Sequence, residues 1–188
     1  MKTKEKLQKI IQELSFNSSL INDDEVDNFV AYIMKANRIY LAGAGRSGYV
    51  IRCFANRLMH LGFSVNFVGD ATTPHSKKGD LLIIGSGSGE TQSLVAMANK
   101  AKKSGLDLAL ITLNPHSSIG LLANAIIPLP GVSPKADQKI TNKTLSIQPM
   151  GSAFEQLSFL LYDAIVLSLM DQLKETGDSM FARHADLE

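Results

Sequence analysis

The chain has a single cysteine, no excess of charge of either sign, and no uninterrupted apolar run of bilayer length. One cysteine excludes an internal disulfide and suits a reducing compartment. Cys53 falls among apolar residues of a predicted helix, so it is expected to be a small buried hydrophobe rather than a reactive thiol. With 19 Lys and Arg against 18 Asp and Glu, the net charge is +1. That leaves no global field for nucleic acid or an acidic membrane, so a small anion would have to be held by local chemistry. The longest apolar stretch, Leu157 to Met170, is interrupted by Ser158, Asp163 and Ser168, and its 14 residues fall short of the roughly 20 that a span requires. The opening residues MKTKEKLQKIIQEL mix charge with apolar residues and lack the apolar core of a signal peptide. The expectation is a cytoplasmic protein with no nucleic-acid or membrane partner.

Metal spacing is also missing. His60, His75, His116 and His184 form no HExxH or related pattern, so no metal site is expected. His60 reads as a packed core histidine, His116 as part of a turn after Asn114-Pro115, and His75 as a surface position.

The 188 residues fit one domain, 1–188, in three stretches: helices over 1–37, an α/β core over 38–173 and a tail over 174–188. Apolar residues at helical spacing predict helices over 3–15 and 24–37, the second after an Asn22–Asp23 start signal. Short apolar runs then predict strands at Ile39–Ala42, Val65–Val68, Leu81–Gly85, Leu108–Leu113 and Ile126–Leu129. Helices are expected over 48–61, 91–104, 117–123 and 151–173. Strand and helix in alternation predict a parallel sheet flanked by helices. The two N-terminal helices stand outside that alternation and would pad the sheet or supply an oligomer interface. The last helix is apolar almost all round, which suits burial between layers or between subunits. Pro130–Ser146 reads as a long loop over the active edge, in the manner of a lid.

Three loops carry chemistry. Gly43-Ala-Gly45-Arg-Ser-Gly48 spells GxGxxG after a strand, and Asp70 follows 22 residues beyond Gly48, where a ribose-binding acid would stand. The spelling serves a dinucleotide, another phosphate ligand or a plain strand-to-helix turn equally well. The second loop, Asp80-Leu-Leu-Ile-Ile-Gly85-Ser86-Gly87-Ser88-Gly89-Glu90-Thr91, runs a strand into glycines and hydroxyls and then a helix. Free N–H groups and the macrodipole favour an anion there, and Ser86, Ser88 and Thr91 add hydroxyl donors. Capping alone would need one hydroxyl, not three. No lysine closes the loop, so it is not the GxxxxGK[ST] nucleotide loop. The third, Gln148-Pro-Met-Gly151-Ser152-Ala-Phe154-Glu155, places S-x-x-E before an apolar run. It reads as a capping box between Ser152 and Glu155, or as a general base at Glu155 facing the cleft.

LAGAGRSG, GDLLIIGSGSGET, IQPMGSAFEQ and MFARHADLE together resemble the 6-phospho-3-hexuloisomerases of the sugar isomerase (SIS) domain superfamily, from about Arg38 to the C-terminus. The resemblance implies a five-stranded parallel sheet in a flavodoxin-like three-layer sandwich and a homo-oligomer, usually a tetramer. It implies interconversion of D-arabino-3-hexulose 6-phosphate and fructose 6-phosphate in formaldehyde fixation by the ribulose monophosphate route, with no metal or organic cofactor. By position, Gly45, Arg46 and Ser47 with Ser86, Gly87, Ser88, Gly89, Glu90 and Thr91 resemble phosphate and sugar ligands. Glu155 resembles the base that moves a proton between C2 and C3. His184, reaching its own or a neighbouring subunit's site, resembles a helper in polarising or opening the substrate. Ala153 and Asp186 depart from the family pattern without removing a needed group. Three other readings stay open: a non-catalytic phosphosugar sensor, another sugar-phosphate isomerase, and a dinucleotide-dependent oxidoreductase resting on GxGxxG and Asp70.

Overall fold

The computed structural model describes residues 1–131 and 146–187. The expected lid, Pro130–Ser146, therefore lies almost wholly outside the described residues. Two helices come first, α1 (Thr3–Ser18) and α2 (Asp23–Lys35). Asn22 starts α2 by accepting a hydrogen bond from the Asp24 N–H at 2.8 Å. Asp23, Asp24 and Glu25 in its first turn suit the positive end of the helix. Alternation follows: β1 (Ile39–Gly43), α3 (Gly45–His60), β2 (Val65–Phe67), β3 (Leu81–Gly85), α4 (Gln92–Lys103), β4 (Asp107–Thr112), β5 (Ala125–Pro128), α5 (Ser152–Leu173) and a short α6 (Gly177–Phe181).

All strand pairs are parallel, in the order β2-β1-β3-β4-β5. This is the five-stranded, flavodoxin-like sheet expected from the sequence. Strand order reverses between β1 and β3, so a crevice opens there beyond their carboxyl ends.

The period-2 alternation of the strands divides the core in two. Ile39, Leu41, Leu81, Ile83, Ala109, Ile111, Ala125 and Ile127 face α2, α3 and α5. Tyr40, Ala42, Leu82, Ile84, Leu108 and Leu110 face the opposite way, onto Leu94, Ala98 and Ala101 of α4. One face thus carries three helices and the other essentially one. By length and hydropathy the 22-residue α5 is apolar enough to cross a bilayer. It instead buries Phe154, Leu157, Leu161, Ile165 and Leu169 in the core, and Phe54 of α3 stacks on its Tyr162 with ring centroids 4.6 Å apart.

Several expectations need correction. Residues 117–123 form no α-helix; only a 3₁₀ turn, Gly120–Leu122, is present. The turn ends at once because Ala123 is already extended, at φ −73 and ψ 143, on its way into β5; the Ser118 N–H donates to Glu90 and the Gly120 N–H to Ser117. Helix α3 begins at Gly45, three residues earlier than expected, because the glycine motif is itself the first helical turn. Cys53 is exposed, not buried, on the solvent side of α3.

The glycines of that motif set how closely α3 approaches β1. A Cβ on Gly48 would stand 2.8 Å from the Gly43 carbonyl oxygen, and one on Gly43 would stand 2.9 Å from the Gly48 Cα. Both obstacles are backbone. In an ordinary helix position Gly→Ala stabilises by up to about 1 kcal/mol. Here the sign reverses, and Gly48→Ala is expected to destabilise by about 1–3 kcal/mol through overpacking. A lower urea midpoint with an unchanged m-value is the expected result.

Candidate active site

The crevice between β1 and β3 is a cleft of about 230 Å³. Its lining comes from the first turns of three helices: Ala44 and Ser47 at α3, Ser86 to Ser88 with Thr91 at α4, and Gly151, Phe154 and Glu155 at α5. The N-caps of these helices, Ala44, Thr91 and Gly151, make no side-chain cap hydrogen bond. Away from the cleft, α2 and α6 are capped by Asn22 and Thr176. N–H groups that a side chain would otherwise occupy are thus left to face one spot, with three positive dipole ends behind them. Such convergence suits a dianion.

The serine loop is built to hold its shape without the ligand. Ser86 Oγ accepts from the Gly89 N–H and Ser88 Oγ from the Glu90 N–H, both at 3.2 Å. Each hydroxyl keeps its own hydrogen to donate. Strand β4 clamps the loop from behind: the Ser86 N–H donates to the Ile111 carbonyl at 3.0 Å, and Thr112 Oγ1 donates to the Gly87 carbonyl at 3.2 Å. Gly89 sits at φ +64 with Ser117 Oγ where its Cβ would be, so no other residue fits there.

Among the described residues Glu155 is the single titratable residue lining the cleft. Its side chain is 12% exposed and pairs with Arg46 Nη1 through Oε2 at 2.8 Å. The same nitrogen donates to Ser152 Oγ at 2.8 Å. The capping-box reading is therefore overturned. The N-cap is Gly151, in the left-handed region at φ 85, and both supposed capping groups turn to Arg46 instead. Upstream, Gln148 Nε2 donates to Glu13 Oε2 of α1 at 3.1 Å, which ties the segment before α5 to the N-terminal helix.

A family model described as the SIS domain matches residues 32–158. The chain belongs to the SIS domain family. Along its full length it is 47% identical to a 3-hexulose-6-phosphate isomerase of Bacillus subtilis, covering 100% of both chains. A 3-hexulose-6-phosphate isomerase of Mycobacterium gastri is 39% identical over 94% of this chain and 86% of its own. Among solved structures, a Methanococcus jannaschii protein, whose structure was taken to infer a 3-hexulose-6-phosphate isomerase function, superposes with a TM-score of 0.83. It is 33% identical, with 98% of this chain and 99% of the other covered.

Within this SIS domain the other expected site residues are not all in one place. Ser47, Ser86, Gly87, Ser88, Thr91 and Glu155 line the cleft together. Gly45, Arg46, Gly89 and Glu90 do not. Gly45 and Gly89 shape the turns, Arg46 approaches Glu155 from behind, and Glu90 Oε1 accepts from the Ser118 N–H at 2.7 Å. That bond holds the Glu90 carboxyl below the usual carboxylate range. Sequence reasoning missed the apolar wall of Leu94, Leu113 and Met150, and the floor, where a Cβ on Gly85 would stand 2.9 Å from the Tyr162 hydroxyl. Nothing in the local spelling marks those residues. Asp70, the supposed ribose acid, pairs with Arg52 at 3.1 Å beyond β2.

His184 lies far from Glu155 in its own chain. Its ring stacks on His60, at the C-terminal end of α3, with centroids 5.2 Å apart, and on Phe181 at 5.8 Å. The cleft is at the other end of α3, and 16 residues of helix span about 24 Å. The tail is not frayed. Arg183 donates to the His60 carbonyl at 2.8 Å and to both oxygens of Glu175. With a further hydrogen bond from Ser179, Arg183 holds the Glu175 carboxyl down to about 2.

Burial, reinforced by the charges of Arg57 and His184, lowers the His60 imidazole below its ordinary value of 6.5. The unfolded chain therefore binds a proton that the folded chain resists. Stability is full above pH 6.5 and is lost as the pH falls through that value toward the lower folded one. Melting temperature is expected to drop between about pH 7 and pH 5. The drop should shrink in His60→Phe, which keeps the ring stack and removes the titrating group.

Proposed function

We propose that this chain is an isomerase interconverting D-arabino-3-hexulose 6-phosphate and fructose 6-phosphate. One observation carries the reading: three uncapped helix N-termini and a hydroxyl-rich loop make a dianion cradle, with one carboxylate, Glu155, on its rim. The full-length relatives supply the choice of sugar.

The phosphate is held by N–H groups at the starts of α3 and α4 and by Ser47, Ser86, Ser88 and Thr91, which leaves the ketose end toward Glu155. The carboxylate takes the proton from C2 of the 3-ketose. The C2–H pair forms the C2=C3 bond, and the C3 carbonyl oxygen gains a proton, giving the enediol. The carboxylic acid then returns its proton to C3 while the O2 hydroxyl loses one and the C2 carbonyl forms. Hydrogen moves from C2 to C3 and a hydroxyl proton from O2 to O3. Electrons balance within the substrate, so no redox cofactor is called for. Leu113 and Phe154 stand on the cleft side of the Glu155 side chain, which is only 12% exposed, and this low-dielectric setting strengthens its interactions.

An aldolase that condenses formaldehyde with a pentose phosphate would supply the 3-ketose. The setting for this route is the cytoplasm, where phosphorylated sugars are made, and the lone exposed Cys53 is at ease there. The active form we propose is a tetramer. Leu7 and Ile11 of α1 and Leu160 and Leu167 of α5 are all more than half exposed, an apolar surface that a second copy would cover. His184 of the partner subunit is then the second assigned group, in line with its distance from Glu155 within one chain.

Incubation with fructose 6-phosphate in D₂O tests the reaction. Deuterium is expected at C3 together with appearance of the 3-ketose. Glu155→Gln should lose about 10²–10⁴-fold in rate, the range a positioned general base contributes. Full activity in that variant would reject the base, and ligand binding with no turnover in the native protein would leave only a sensor. Light scattering should find four copies in solution, and Leu160→Asp should shift the mass downward.

A further inference from the structure

Arg46 stands against the reacting carboxylate, and its contacts are not those of a phosphate ligand. It lies behind Glu155, beside a second cavity of about 300 Å³ between α1, α3 and α5, lined also by Leu14, Val50 and Phe159. Glu155 is the wall between that cavity and the phosphate cleft. A guanidinium recognises phosphate by offering two parallel N–H donors. Here Nη1 is turned to α5 and committed to Glu155 Oε2 and Ser152 Oγ, each at 2.8 Å.

We propose that Arg46 is the positioning residue of the base: it fixes Oε2 and leaves Oε1 as the oxygen that carries the proton. The assignment rests on the isomerase reading above. A Cβ built on Gly151, a cleft residue, would lie 3.7 Å from Oε1, so the oxygen that Arg46 does not hold is the one on the cleft side. A glutamate side chain has three rotatable bonds, and the carboxylate must meet both C2 and C3 from one place. Anchoring one oxygen to a nitrogen that is itself bonded to Ser152 ties the base to the first turn of its own helix. The guanidinium also offsets the repulsion between the carboxylate and the substrate dianion.

As a contribution to folding, the pair is worth little, because the Arg46 side chain is 55% exposed and such ion pairs are largely solvated. Its effect belongs in turnover, where a misplacement of about 1 Å can cost on the order of 10²-fold. The test compares native protein, Arg46→Ala, Arg46→Lys, Ser152→Ala and Glu155→Gln in steady-state isomerisation of fructose 6-phosphate, with and without added guanidinium chloride at non-denaturing concentration. Arg46→Ala is expected to lose about 10²-fold in kcat with KM near native and an almost unchanged melting temperature. Guanidinium should raise its turnover but not that of Glu155→Gln. Arg46→Lys should recover part of the loss, since an ammonium can meet Oε2 but lacks the planar fork.

A raised KM with native kcat would make Arg46 a substrate ligand and overturn the proposal. So would an Arg46→Ala protein that melts like the native and gains nothing from guanidinium. Should Arg46→Ala fail to fold, Arg46→Lys and Ser152→Ala carry the test, and native kcat in both overturns it. A native protein inactive on fructose 6-phosphate rejects the isomerase reading itself and takes this assignment with it.

Discussion

Three helices begin at one crevice with their N–H groups uncapped, and the rest of the site depends on that. Protein helices usually satisfy these groups with a Ser, Thr, Asp or Asn side chain. In this chain α2 and α6 do so, at Asn22 and Thr176, whereas α3, α4 and α5 begin at Ala44, Thr91 and Gly151 without a side-chain cap, as α1 does at Lys2 away from the cleft. A dianion in the cleft would complete all three at once. Parallel strands make this possible, because every strand-to-helix loop leaves the sheet at the same edge.

Holding phosphate with dipoles rather than cations would leave room for a carboxylate in the same cleft. Among the described residues no Lys, Arg or His lines the cleft. The charge that steadies Glu155 comes from behind, through Arg46, and also engages Ser152. Ser152 and Glu155, spaced as a capping box, are thereby drawn off the helix end, and the α5 N-terminus stays open toward the cleft. Capping and catalysis draw on the same carboxylate oxygens, and a residue 109 positions earlier in the chain decides between them.

Much of this was legible in the sequence. The strands were, because apolar runs buried on both faces between glycines have few other uses, and Leu81–Gly85 appears with the expected bounds. The place of the serine loop was legible, because a strand-to-helix turn opens on the carboxyl edge of the sheet, and Ser86, Ser88 and Thr91 line the cleft there. The segment 117–123 was not: Glu90 reaches Ser118 from another loop, and the chain turns extended at Ala123 to enter β5 after a single 3₁₀ turn. The orientation of Glu155 was hidden for the same reason: a local spelling cannot report a partner on α3. Nor could the place of His184 be read, because it depends on Arg183 meeting the end of α3 rather than on any pattern within the tail.

The glycine motif after β1 shows how a spelling can be real and still not name its ligand. Gly43 and Gly48 are needed because each occupies the space a Cβ on the other would take, which brings α3 close to its strand whatever sits in the crevice. A dinucleotide fold needs that closeness, and so does a phosphosugar site. The motif therefore constrains the distance between helix and sheet, while the hydroxyls that a ligand would meet, those of Ser86, Ser88 and Thr91, come from the next loop. Asp70, which would have spoken for a ribose, is spent on Arg52. The polar groups of the cleft thus come mainly from the second strand-to-helix turn and from the helix that brings Glu155, and the first turn supplies the close approach of helix to sheet.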